Sequence, residues 1–303
     1  MRPPLELTRP GSTSNQVQTA SRTAQNGNDS GPFPTVTHTA PHRRCYRALG
    51  DLEGVGRCLG FVGHALLFTG GNDRARSVLD EGIELARRTG HAQSLARALH
   101  NAAFVAIEER DFERACQMFE EAAQIARAER MNLTLAMCLS QLGLAEVLSG
   151  DHEAAGAHLE EGVALFGEVG ETTWTQMAVR YQGLSALLEG EIDEAESLLR
   201  AGLAKGREQT LRQEVPSWID GLAAVADARG EARRAAALWG AADAVRQDLG
   251  LVVLEESRQI RERFKRVPDG TLDADSWKEA WARGHAMTLE QAIALALADE
   301  TDP

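Results

Sequence analysis

The stretch that decides the fold is residues 99–122, which read LHNAAFVAIEERDFERACQMFEEA. Apolar residues recur three and four positions apart on both sides of Asp111, a pattern typical of two amphipathic helices joined by a turn. The same pattern returns in both directions along the chain at a fixed step of 40 residues. Such a period indicates an array of structural repeats.

Six columns of residues carry the repeat: an alanine column, a bulky column, two small columns, an apolar column and a turn column. Because small side chains let two helices approach closely, the columns predict stacked helix pairs with helices of about 16 residues. In that order the columns are Ala75, Ala115, Ala155, Ala195 and Ala235; Leu79, Phe119, Leu159, Leu199 and Trp239; Gly82, Ala122, Gly162, Gly202 and Ala242; Gly63, Ala103, Gly143, Gly183 and Ala223; Leu59, Leu99, Leu139, Val179 and Ile219; and Gly71, Asp111, Asp151, Glu191 and Glu231.

This order of apolar, small, alanine and bulky positions resembles the tetratricopeptide repeat, a helix-turn-helix unit. The resemblance implies an all-α fold, a right-handed α-solenoid of five tetratricopeptide-like helix pairs with a C-terminal helical cap. Gly90, Gly170 and Gly250 stand where the family has a proline, and we expect them to end helices in the left-handed conformation.

The chain divides into three predicted parts. Residues 1–45 are rich in proline and small polar residues and lack apolar periodicity, so we expect a disordered extension. Residues 46–250 hold the five 40-residue repeats. Residues 251–303 leave the period and are expected to form the helical cap, with Trp277 and Trp281 as its core and Thr288–Gln291 as a helix-capping box.

Two stretches carry a more specific resemblance: ALWGAADAVR at 237–246 and WARGHAMTLEQAIALAL at 281–297. They are similar to the C-terminal repeat region of bacterial, especially actinobacterial, transcriptional regulators of the LuxR-type and AfsR-like classes, which carry an ATPase module upstream. The Gly-x-x-x-x-Gly-Lys-Ser/Thr phosphate loop is absent here, and no helix-turn-helix module follows Leu297. ATP hydrolysis and direct DNA binding are therefore not implied.

Composition narrows the function classes. The formal net charge of −13 argues against a nucleic-acid partner, which needs a concentrated basic face. No uninterrupted apolar run approaches the roughly 18 residues of a membrane span. Cysteines at 45, 58, 116 and 138 form no CxxC pair, which favours a reducing, cytoplasmic location.

The motifs that suggest chemistry are weak. The glycines of GVGRCLG at 54–60 fall inside a predicted helix with no preceding strand, so a dinucleotide site is not expected. His152-Glu153 begins like a zinc-protease helix, but position 156 is glycine rather than histidine. The sequence therefore predicts a protein that is not an enzyme and holds no cofactor or metal.

In tetratricopeptide folds the first helix of each pair lines a concave groove. Carrying those positions over by the column register predicts a groove that is basic early, apolar in the middle and acidic late at Asp220 and Asp227. An alternative is that long helices bury these residues against their neighbours. The predicted groove residues are Arg57, His64, Arg97, His100, Phe104, Met137, Leu144, Met177, Arg180 and Leu184.

Two functions of different classes follow. The first is a non-enzymatic scaffold that binds a protein or peptide in the groove, in bacterial transcriptional regulation or signalling. The second is a sensor whose groove closes on a small metabolite, and a third reading makes the chain a fragment of a larger ATPase-containing regulator. An open apolar groove favours the scaffold, whereas several convergent polar side chains favour the sensor.

Overall fold

A computed structural model describes residues 71–208, 212–265 and 272–298, together with isolated positions between 54 and 66. The predicted extension 1–45, Arg57 and His64 lie outside these residues. Within them every regular element is an α-helix, which confirms the all-α fold. The helices are α1 Asn72–Thr89, α2 Ala92–Glu108, α3 Phe112–Ala128, α4 Asn132–Ser149, α5 His152–Val169, α6 Thr172–Glu189, α7 Ile192–Glu208, α8 Val215–Ala228, α9 Ala232–Leu249, α10 Glu255–Phe264, α11 Ala274–His285 and α12 Leu289–Leu297.

Helices α1 to α9 form an α-solenoid in which each helix packs on the next. The second helices of the five pairs, α1, α3, α5, α7 and α9, begin at residues 72, 112, 152, 192 and 232, which keeps the 40-residue step. Two members of the turn column cap their helices: the side chains of Asp111 and Asp151 accept hydrogen bonds from the backbone N–H of Arg114 and Ala154. We call α2, α4, α6 and α8 the first helices.

The small and bulky columns meet inside the solenoid. A Cβ atom placed on Gly143 would lie 2.6 Å from Cγ of Leu159, the bulky residue of its own pair. Leu199 lies between two glycines, since Cβ atoms on Gly183 and on Gly221 of the next pair would each come within 3.0 Å of it. Small residues at these positions therefore let the bulky column pack closely both within and between pairs.

Left-handed residues end the helices. Gly90, Gly170 and Gly250 have φ of 67°, 69° and 64°, which confirms the predicted helix stops. Each lets the following residue donate a backbone hydrogen bond to a carbonyl of the last helical turn.

Helix α4 (Asn132–Ser149) is long and apolar enough, with a mean hydropathy of 1.2, to meet the length and composition of a membrane span. Of that stretch, 72% is buried between neighbouring helices of the solenoid, which accounts for its apolar composition.

The tail after Gly250 divides into two parts. Helix α11 packs along α9 at a crossing where a Cβ atom on Gly240 or Gly284 would overlap the backbone of the other helix. Trp281 is partly buried there and its Nε1–H donates to Oδ2 of Asp243 over 3.2 Å. Helix α12 begins with the predicted capping box and packs against α7, α8 and α9. Helix α10 instead lies on the side of the solenoid that the first helices form.

Candidate binding groove

Helix α10 lies along the side of the solenoid where the predicted groove residues sit. It packs against α8, and its side chains reach the end of α2, the middle and end of α6, and α9. We call this side of the first helices, with the residues that α10 contacts, the inner face. The inner face thus already holds a helix, from the chain's own tail.

The N-terminal turn of α10 is acidic and meets arginine. Nη1 of Arg180 donates to a carboxylate oxygen of Glu256 at 2.6 Å, and its Nη2 lies 3.6 Å from a carboxylate oxygen of Glu214. All three side chains are buried. Two carboxylates thus share one buried guanidinium.

The middle of α10 is basic and meets aspartate. Asp220 is fully buried and accepts hydrogen bonds from Arg246 of α9 and from Arg261 of α10, the latter at 2.7 Å. Arg261 also donates to Asp243 at 2.6 Å, and its guanidinium lies 5.2 Å from the centre of the Trp239 ring. A charge pair and an aromatic contact therefore hold the same arginine.

A third group of charges joins α10 to the end of α2. Glu108 accepts from Nη2 of Arg258 at 2.7 Å and from the backbone N–H of Glu255 at 2.9 Å, so it also caps the start of α10. Arg110 lies in the next turn, with its Nε 2.6 Å from Glu255 and its Nη2 2.7 Å from Glu262. Both α10 and the end of α2 with its following turn therefore contribute acidic and basic residues to this contact.

Only two large apolar side chains of α10 are buried, Ile260 and Phe264, and both belong to the main solenoid core. The rest of the α10 interface is built from charged and polar groups, including the buried Glu255, Glu256 and Ser257. Shape and charge order therefore decide which helix fits here more than apolar area does.

The pKa values of two buried acids, Glu214 and Asp220, are shifted in opposite directions by burial and charge pairing. Burial raises the pKa of Glu214 to about 7, because Arg180 offsets the loss of water only in part and Glu256 adds a like charge. Burial pushes the pKa of Asp220 upward as well, but Arg246 and Arg261 together outweigh it and hold that pKa below its ordinary value. Asp220 is therefore a fixed charge, whereas Glu214 titrates near neutrality.

The predicted groove residues fall into two sets. The first set is buried. Arg180 contacts α10, and Leu144 and Leu184 pack in the main core without exposure to solvent. His100 is buried against the edges of Phe104 and Phe119, with ring centres 5.4 and 5.6 Å away, and burial lowers its pKa to about 4. It is therefore neutral at pH 7.

The second set is half-buried and comprises Arg97, Met137 and Met177, in addition to Phe104. Arg97, Met137 and Met177 stand in the N-terminal halves of their helices, whereas α10 contacts middles and C-terminal ends, at Glu108, Arg180 and Leu188. The inner face thus has a part that α10 covers and an accessible part, where side chains such as Met137 and Met177 stay partly exposed while packing against the core.

Sequence reasoning missed Glu108, Arg110 and Glu214, because the column register gives no weight to helix ends and turns. One signal was available for Arg110. The matching positions of the next three pairs are Gly150, Gly190 and Gly230, all left-handed, and Arg110 has the same conformation with φ of 61°. Arg130, where other pairs have Gly90, Gly170 and Gly250, is left-handed as well, so a bulky residue at a glycine position marks a strained turn. At Arg110 the strained residue also contacts α10.

Comparison with known proteins agrees with the repeat architecture of the fold. Residues 94–168, which span most of α2 to α5, match the family model for the tetratricopeptide repeat. The fold is a tetratricopeptide-like solenoid. No curated protein matches the sequence.

Among solved structures, the crystal structure of BtubC (BKLC) from P. vanneervenii is similar, with a TM-score of 0.52 and 16% sequence identity. The similarity covers 79% of this chain and 92% of that one. At this identity it concerns the fold alone.

Proposed function

We propose that this chain is a non-enzymatic scaffold that binds a helical segment of another protein on its inner face. The observation that carries the proposal is that the inner face already accommodates a helix, α10, through ordered pairs of opposite charge. Tetratricopeptide repeats generally mediate contacts between proteins, which supports the same reading.

The setting that we propose is bacterial transcriptional regulation or signalling in the cytoplasm, without direct contact to nucleic acid or membrane. The resemblance of residues 237–246 and 281–297 to the C-terminal region of bacterial regulators supports it. These two stretches contain the glycines of the α9–α11 crossing, so the resemblance concerns the way the solenoid ends.

A small-metabolite sensor is the second candidate, and one observation favours it. Several polar side chains of the first helices are buried, and Nε2 of His100 and Nε of Arg180 have no hydrogen-bond partner among the described residues. A polar ligand or water would satisfy such atoms. A metabolite that raises the melting temperature of the parent, but not of an Arg180→Gln variant, would favour the sensor.

Site-specific photocrosslinking in the native host tests the scaffold. A photoreactive amino acid replaces Met177 on the accessible part of the inner face, and in a matched strain it replaces the exposed Glu160 of α5. We expect protein adducts from position 177 that position 160 does not give. Adducts of the same proteins from both positions, or from neither, would contradict a scaffold that works through this face.

A further inference from the structure

Two buried charges of the inner face, Arg180 and Asp220, each have one partner in the solenoid and one in α10. Arg180 pairs with Glu214 of the solenoid and with Glu256 of α10. Asp220 pairs with Arg246 of α9 and with Arg261 of α10. When α10 leaves, neither Arg180 nor Asp220 becomes an uncompensated buried charge, which is the costly outcome of breaking a buried pair. Arg180 and Asp220 thus keep a charged partner without α10, whereas Glu108 loses both the Arg258 and the Glu255 contact.

The exposed rim also selects the charges of α10. Arg110 adopts a left-handed backbone at a turn where Gly150, Gly190 and Gly230 stand in the other pairs. Its side chain is half exposed and contacts Glu255 and Glu262 of α10. This conformation is unfavourable for an arginine, and the contact it makes is specific to the charges of α10.

The charge order of the face restricts what else can occupy it. A carboxylate must approach Arg180 and Arg110, and a cation must approach Glu108 and Asp220. A helix with the reverse order would place its carboxylates beside Asp220 and its cations beside Arg180, where like charges repel in a buried setting.

We propose that α10 is an internal competitor and that the partner is a helix with the charge order of α10. Such a helix carries two carboxylates in its first turn, as at Glu255 and Glu256, and basic residues where α10 has Arg258 and Arg261. Its apolar residues take the places of Ile260 and Phe264. This proposal rests on the scaffold function proposed above and names the class of segment that the scaffold binds.

The test uses the full chain and a fluorescent peptide of residues 251–266. Binding is measured by fluorescence anisotropy to the parent and to two unlatched variants. One removes the charges of α10 (Glu256→Ala with Arg261→Ala), and the other removes its apolar anchors (Ile260→Ala with Phe264→Ala). Circular dichroism shows which variants keep the helix content of the parent, and two variants of different chemistry allow for the failure of one to fold.

We expect the unlatched variants to bind the peptide about tenfold or more tightly than the parent, because a tethered helix competes at high effective concentration. A peptide with Glu256→Arg and Arg261→Glu should not bind them. Equal binding of the two peptides, or no gain over the parent in a folded unlatched variant, would overturn the proposal.

The occupant could also be α10 of a second copy. Sedimentation of the parent decides this: a monomer agrees with the proposal, whereas a dimer that dissociates in the unlatched variants overturns it. Failure of the peptide test alone leaves the scaffold in place if photocrosslinking at position 177 still captures proteins. If photocrosslinking captures none, the scaffold fails independently of the peptide result.

Discussion

Two kinds of interface hold this molecule together. Between successive solenoid helices, leucines such as Leu159 and Leu199 pack against glycines. The contacts are apolar, and the side chains come close to the neighbouring backbone. Between α10 and the inner face, most contacts are ion pairs made by long side chains, with Ile260 and Phe264 as the apolar anchors.

The two kinds of interface suit different roles, one permanent and one open to replacement of the bound helix. Apolar burial stabilises any well-packed arrangement by about 25 cal/mol per Å², whereas a buried ion pair roughly balances its attraction against the loss of water and gains mainly specificity. The solenoid interfaces are therefore suited to a fixed scaffold, and the α10 interface to a helix that can be replaced by a matching one.

The largest expected effect comes from breaking the buried charge pairs of the inner face. Asp220→Asn leaves Arg246 without its carboxylate and Arg261 with Asp243 alone, and we expect a loss of about 3–5 kcal/mol in the free energy of unfolding. The matched control is Asp193→Asn, which removes a pair to Arg229 whose aspartate is exposed, and it should cost less than about 1 kcal/mol. Urea unfolding followed by circular dichroism measures both, and equal losses would show that burial does not distinguish the two pairs.

The next effect concerns the apolar, backbone-close kind of interface. Gly284→Ala places a methyl group on the carbonyl of Ala237, and neither backbone can move away cheaply, so we expect a loss of about 1–3 kcal/mol or more. Gly156→Ala, in the second turn of α5 with open space around it, should instead stabilise by roughly 0.5–1 kcal/mol. Thermal unfolding measures the two variants, and shifts of the same sign would contradict the close crossing of α9 and α11.

A pH experiment probes Glu214, which faces Arg180 of α6 and Glu256 of α10. Its pKa is higher in the folded chain, about 7, than the ordinary value of 4.5, so its contribution to stability is complete below pH 4.5 and is lost as the pH rises to about 7. Glu214→Gln has no such loss. The variant should therefore gain stability relative to the parent over this range, on the order of 3 kcal/mol, since each pKa unit corresponds to about 1.4 kcal/mol.

Urea unfolding of parent and variant at several pH values measures this difference, in which the titration of other groups such as His100 cancels. A difference that stays constant from acid to neutral pH would show that Glu214 does not titrate in this range.

The smallest effect is expected at two arginines with left-handed backbones, Arg110 and Arg130, which have φ of 61° and 55°. Arg130→Gly should stabilise the chain by roughly 0.5–1 kcal/mol, because its side chain has no partner among the described residues. Arg110→Gly should gain less, because it also removes the contacts to Glu255 and Glu262. Thermal unfolding measures the pair, and an equal gain would mean that Arg110 does not help to hold α10.

The periodic part of the fold could be predicted because packing between identical units repeats the same residues. The column through Ala75 and Ala235 and the stops at Gly90, Gly170 and Gly250 follow from that repetition. The position of α10 could not be predicted in this way. Its contacts join residues far apart in sequence, such as Glu108 with Arg258, and they occur once.

The groove residues could likewise be predicted only in part from the repeat register. The register placed Arg180 on the inner face, but its partners Glu214 and Glu256 lie at a helix start and in the tail. The register also gave Leu144 and Leu184 as groove residues, and the structure buries both in the core. Their part in binding stays a prediction.

As an internal competitor, α10 must leave the inner face more readily than the solenoid opens. Hydrogen–deuterium exchange of the full chain, read by mass spectrometry, tests it directly. We predict that amides of residues 255–264 exchange through a local opening, faster than those of α8 and α9, and that Glu256→Ala with Arg261→Ala speeds exchange in α10 alone. Exchange of α10 at the same rate as α8 and α9, and an equal response of all three helices to the substitutions, would contradict the claim.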